Sequence, residues 1–133
     1  MTNSTFGPTI HSYTRAQAIE DGELVDVTTM AQDVRFRVPV ALTRSAWAEA
    51  VAWDDDRPEP QDEDGRLWDV LYLADHAASR TAGSNRVTFR VLRVPNENRG
   101  HDWNQPELIE LALHIGPGDT AEPIITIMLT NES

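Results

Sequence analysis

Apolar and polar residues alternate through the C-terminal third of this 133-residue chain. Val87, Phe89 and Val91 are interleaved with Arg86, Thr88 and Arg90. Ile109, Leu111, Leu113 and Ile115 are interleaved with Glu110, Ala112 and His114, and Ile125, Ile127 and Leu129 with Thr126 and Met128. Successive side chains of a strand point to opposite faces, so a period of two predicts three strands, each with an apolar face. The stretch GPGDTAEP joins the last two as a hairpin, and PNENRGHDWNQP, over 95–106, reads as a polar loop.

Upstream the period lengthens to that of a helix. Thr14 and Gln17 fit a capping box opening a short helix that Gly22 ends in a left-handed turn. Val27, Met30, Ala31 and Val34 predict a second short helix. Phe36, Val38 and Val40 alternate with Arg35, Arg37 and Pro39, which predicts a strand that the proline favours at an edge. Thr43 caps a helix running to about Trp53, with Ala46, Trp47 and Ala50 inward. From Arg66 to Arg80, the residues Leu67, Val70, Leu71, Ala74 and Ala78 make one apolar face, with Trp68 and Tyr72 beside it. The fold class expected is α+β: a helical N-terminal half packed on a C-terminal three- to four-stranded, mainly antiparallel sheet. Residues 1–10 lack periodicity and read as a flexible tail, with 11–133 one domain.

One phrase occurs twice, EDGELVDV from Glu20 and EDGRLWDV from Glu63. Its flanks differ: the first glycine follows a capped helix, and the second phrase precedes the best apolar stripe in the chain. The repeat therefore reads as punctuation at opposite helix ends. Immediately before the second copy, residues 54–64 hold seven acids against one arginine and account for -6 of the formal net charge of -11. Such a run cannot bury itself and predicts an exposed loop at about 54–65.

Composition removes several chemistries. Without cysteine there are no disulfides, thiolate metal sites or cysteine nucleophiles. The N-terminus lacks a basic then apolar leader, and no stretch approaches eighteen apolar residues, so a cytoplasmic protein without a membrane partner is expected. All eleven basic residues are arginines. GC-rich codon usage accounts for that; the functional alternative is bidentate pairing with carboxylates. The negative net charge argues against direct nucleic-acid binding, which needs a basic footprint, and leaves open a protein that imitates nucleic acid.

The phrases SYTRAQAIEDGELVDV, FRVPVALTRSAW, GRLWDVLYLA and LHIGPGDTAEPIITIMLTNES, in that order, resemble an uncharacterised family of small bacterial proteins carried on plasmids, conjugative elements and phages. The resemblance covers roughly residues 13–131 and implies a setting, the accessory cargo of mobile DNA. It implies no activity, cofactor or catalytic residue.

Each candidate chemistry has a structural counterpart. An EF-hand frame placed on Gly65 sets Pro60 at position 1 and Leu71 at position 12, so the frame fails at both ends and a solvated loop is favoured over a calcium site. His101 with Asp102, and His114 with Asp119 and Glu122, are the residues a small hydrolase would use, although nothing has metal-ligand spacing. Gly116 to Asp119 leads into a strand and lacks a lysine, so it is a hairpin turn whose glycines take positive φ and whose Asp119 caps the backbone, not a phosphate cradle. Arg35, Arg37, Arg86 and Arg90 fall on predicted strands, where internal ion pairing is favoured over an anion site. Trp47 and Trp68 sit at core spacing, whereas Trp53 and Trp103 border polar loops.

Two readings follow. The first is a noncatalytic acidic accessory protein that binds a protein partner through Trp53, Asp54, Asp55, Asp56 and Trp103, in its sharpest form as a DNA mimic. The second is a small hydrolase-like enzyme using His101, His114, Asp119 and Glu122. Neither requires a cofactor. Apolar residues on both faces of the last strand call for a second layer, a helix or another subunit.

Overall fold

The structure, a computed structural model, describes residues 13–53, 62–80, 83–93 and 106–132. Its elements follow the order α1 (Arg15–Glu20), β1 (Leu24–Asp26), α2 (Thr28–Asp33), β2 (Val40–Thr43), α3 (Arg44–Ala50), α4 (Glu63–Ser79), β3 (Arg86–Arg93), β4 (Glu107–Pro117) and β5 (Pro123–Leu129). The α+β class holds. The expected split into a helical first half and a sheet-forming second half does not, because β1 and β2 come from the first half. The sheet has five strands in the order β1-β2-β5-β4-β3. Pairing is antiparallel except between β2 and β5, so the sheet is mixed.

Local chemistry sets the helix ends. At α1 the box is complete: Thr14 Oγ1 accepts from Gln17 N at 3.0 Å, and Thr14 N donates to Gln17 Oε1 at 2.9 Å. At its other end Gly22 N donates to Ile19 O and Glu23 N to Ala18 O, with Gly22 at φ 81°, a Schellman turn. Thr43 caps α3 through Ala46 N, 3.1 Å, and α3 stops at Ala50 rather than reaching Trp53. Asp62 caps α4 through Gly65 N, 2.6 Å, so the helix starts at Glu63, and Glu63 to Gly65 belong to it rather than to a loop. The repeated phrase thus marks opposite helix ends, the second cap two residues earlier than Asp64.

The strand expected over 36–40 forms instead over 40–43. After α2, Arg35 turns into the left-handed region at φ 89°, and Phe36 N returns to Ala31 O at 3.0 Å. That turn holds Phe36 against the core and keeps Arg35 and Arg37 off any strand, while Pro39, which has no N–H, precedes the first paired residue. Far from an edge, β2 lies between β1 and β5.

One sheet face carries the core. Val40 and Leu42 pair with Ile125 and Ile127, Leu113 with Ile127, and Phe89 with Leu111. Over them pack Leu67, Val70, Leu71 and Ala74 of α4, Ala46 and Ala50 of α3, and Ala31 of α2. Full burial of each large aliphatic side chain contributes about 1.5–3 kcal/mol. The opposite face is covered at Ala41, Ala112, Ile124 and Met128, whereas Leu92 and Leu108, partners in the β3–β4 register, are 57% and 63% exposed. Trp68, expected to pack, is 42% exposed on the outer side of α4, with Tyr72 one turn on. No helix among the described residues is long and apolar enough to cross a membrane.

Candidate functional site

The residues proposed for catalysis do not form one constellation. His101 and Asp102 lie outside the described residues, as do Asp54, Asp55, Asp56 and Trp103. His114 sits in β4, in register with Arg86 on one side and Thr126 on the other. Asp119 and Glu122 line a small cavity of about 200 Å³ with Arg15, Asp26 and Thr28, which His114 does not line. Both carboxylates have structural work there. Asp119 does not cap its own turn, whose positive φ falls on Ala121 rather than on a glycine of the hairpin. Its two oxygens accept from Arg15 N at 2.8 Å and Ala16 N at 3.0 Å, the free amides opening α1. These bonds hold its carboxyl below the usual carboxylate range. Glu122 Oε1 accepts from Thr120 Oγ1 at 2.6 Å and Thr120 N at 3.0 Å, which lowers its pKa too. The Arg15 guanidinium, half-buried, donates to Thr126 Oγ1 and Ile125 O, both at 2.8 Å. Burial pulls its pKa down, against the upward pull of Asp26, Asp119 and Glu122. Among the described residues no group of three or more His, Asp or Glu side chains could hold a metal ion.

Two arginines that the sequence reading left aside are buried. Arg66 is 2% exposed and Arg93 is 7% exposed. Arg66 Nε donates to Val51 O, and its guanidinium lies 4.9 Å from the centre of the Trp53 ring. Trp53, expected at a contact surface, is therefore part of the interior, 6% exposed. Arg93 donates from Nε to Ala50 O and from Nη2 to Arg66 O, joining the end of α3, the start of α4 and β3. Burial lowers its pKa, while Asp69, 3.5 Å away, raises it. A signal for both existed. Arg93 continues the period-two apolar series of Val87, Phe89 and Val91, and Arg66 lies four residues before Val70 on the apolar stripe of α4.

A second opening, with a chemical character of its own, lies along β3. This strand ends the sheet, and its free side runs beside the second half of α4. Ile115 N donates to Asn85 O, which fixes the phase of the β3–β4 ladder: odd-numbered residues of β3 bond to β4, and even-numbered ones turn N–H and C=O outward. The two ends of that outward row are occupied locally. Ser84 Oγ bonds both the N–H and the C=O of Arg86, and Arg93 Nη1 donates to Leu92 O. In the middle, the N–H and C=O groups of Thr88 and Arg90 have no partner among the described residues. Next to them opens a cavity of about 400 Å³ with Leu73, Ala77 and Phe89 as its apolar part. His76, Arg80, Arg90 and Glu110 supply its polar groups. Arg90 and Glu110, 3.7 Å apart, are both substantially exposed. Sequence periodicity marks β3 as a strand but contains no strand order, so neither its edge position nor the helix beside it could be read in advance.

No curated protein and no solved structure matches this chain. Residues 2–133 match a family described as a family of unknown function (DUF6573), and the chain belongs to that family.

Proposed function

We propose that this chain is a noncatalytic interaction protein that holds a protein partner in the groove between α4 and the free edge of β3. The observation that carries the reading is the outward row of backbone groups at Thr88 and Arg90 beside an apolar hollow. Unpaired strand edges are templates for another chain, and proteins usually blunt them. Here the ends of the edge are blunted and the middle is left available. Exposed Trp68 and Tyr72 extend the ridge of α4 toward His76 at the groove, and aromatic residues of this kind are enriched at interfaces. The hydrolase alternative is less favoured, since Asp119 and Glu122 already spend their oxygens on α1 and Thr120.

The resemblance to proteins of plasmids, conjugative elements and phages supports a role as accessory cargo of bacterial mobile DNA. A DNA mimic calls for carboxylates spread along an extended face. With over half the net charge in one short run, and arginines along β3, recognition without mimicry is the better fit. The test is a photo-crosslinking residue at Thr88, with Ser45 on α3 as the control, in cells of a host species. A discrete adduct at Thr88 that is missing at Ser45 is expected; equal labelling at both positions rejects the groove.

A further inference from the structure

We propose that the groove receives an extended acidic segment of its partner, which pairs with β3 as a sixth strand. This inference rests on the interaction reading above and specifies the chemistry of what is bound. A helix satisfies its own backbone and would leave the Thr88 and Arg90 groups unbonded, whereas an extended chain supplies alternating donors and acceptors to all four. Its side chains on one face meet Leu73, Ala77 and Phe89, and those on the other lie beside Arg90 and Glu110. Among the described lining residues the two arginines, Arg80 and Arg90, stand against one carboxylate, Glu110, a cationic spot on a chain whose net charge is -11. A second copy fits poorly. Antiparallel pairing of β3 with itself about Phe89 sets Arg90 opposite Thr88 and Arg86 opposite Leu92 of the other copy, so four arginines lie diagonal to one another on one face and the incoming strand brings them no carboxylate. Acidic side chains on the incoming strand give the arginines opposite charges instead.

The probe is an acetylated, amidated peptide, Thr-Glu-Val-Glu-Val-Glu-Thr, titrated into the isotope-labelled full chain while amide NMR shifts are followed. Companion peptides carry Gln or Lys for Glu, or N-methyl groups on the amides of either strand edge. The acidic peptide is expected to shift the Thr88 and Arg90 amides. The lysine peptide should bind on the order of tenfold more weakly, as expected for two exposed charge pairs. N-methylation of the edge facing β3 should abolish binding. The double variant R80E/R90E should reverse the charge preference, a result that loss of structure cannot produce.

Equal binding of all three charge versions overturns the acidic specificity and leaves the groove standing. Absence of shifts at about 5 mM peptide, where even millimolar contacts register, or indifference to N-methylation overturns strand addition. The Thr88 crosslink then decides separately whether the groove is used at all. Concentration-dependent dimerisation of the free chain that shifts the same amides assigns the edge to a second copy and overturns the proposal.

Discussion

Gly22 and Arg35 occupy the same position at the ends of two different helices. After α1, Gly22 and Glu23 donate to Ile19 O and Ala18 O; after α2, Arg35 and Phe36 donate to Gln32 O and Ala31 O. Both turns need a left-handed residue, at φ 81° and 89°, but only one has the glycine that adopts this region without penalty. A side chain with a Cβ costs roughly 1–2 kcal/mol there, partly offset by the lower entropy of its unfolded chain. Arg35 gains little in return, since its contact to Asp75 is 3.9 Å long and the arginine side chain is 85% exposed. Arg35→Gly is therefore expected to raise stability by about 0.5–1 kcal/mol, and Gly22→Ala to lower it by about 1 kcal/mol. Urea denaturation of the two variants measures both, and shifts of the same sign would contradict the shared-turn argument.

At the scale of elements, Asp119 connects α1 to the β4–β5 hairpin through two backbone amides. Its carboxyl titrates below its ordinary value because the bonded form is the charged one. The stabilisation is then fully present above the unfolded pKa of 3.8 and is lost as pH falls through the lower folded value. Asp119→Asn is expected to be less stable at pH 7 and to lose less on acidification, so that the urea midpoints of variant and native chain converge once the pH has fallen below that lowered folded value. A constant gap down to that pH would show that the charge on Asp119 is not what holds α1. This connection was half legible. The sequence marks Asp119 as a cap for its own hairpin, whereas the turn it caps is the first of α1, 104 residues away, and no local pattern encodes that. The three C-terminal strands and the caps of α1 and α3 were legible because period and cap chemistry are local. The parallel β2–β5 pair was not, since Val40, Ala41 and Leu42 are buried in succession and show no alternation. Trp53 and Trp68 exchanged their expected places for a related reason: proximity to a polar loop says little about burial, and a position beside an apolar stripe falls just outside it.

For the whole molecule the deciding quantity is charge. With 22 acids against eleven arginines, half the carboxylates cannot find a cationic partner, and folding brings them closer together. Such excess opposes the compact state through self-repulsion, and salt screens it over a Debye length of about 8 Å at physiological ionic strength. Attractive pairs are screened by the same salt, but Arg44–Glu23 at 2.6 Å and Arg90–Glu110 at 3.7 Å are exposed, Arg35–Asp75 is 3.9 Å long, and in Arg93–Asp69 the carboxylate is exposed, so they contribute little. The buried arginines bond backbone carbonyls, which mobile ions do not reach. Repulsion should dominate, so raising NaCl from about 10 to 300 mM is expected to raise Tm by a few degrees, equivalent to about 1 kcal/mol. Thermal unfolding followed by circular dichroism measures it, and a falling Tm would mean that attractive surface pairs outweigh the excess charge. The same titration should act in the opposite sense on the groove. There Arg80 and Arg90 attract an acidic strand, so salt that strengthens the fold weakens the contact, and the two responses separate the charge of the molecule from the charge of its binding edge.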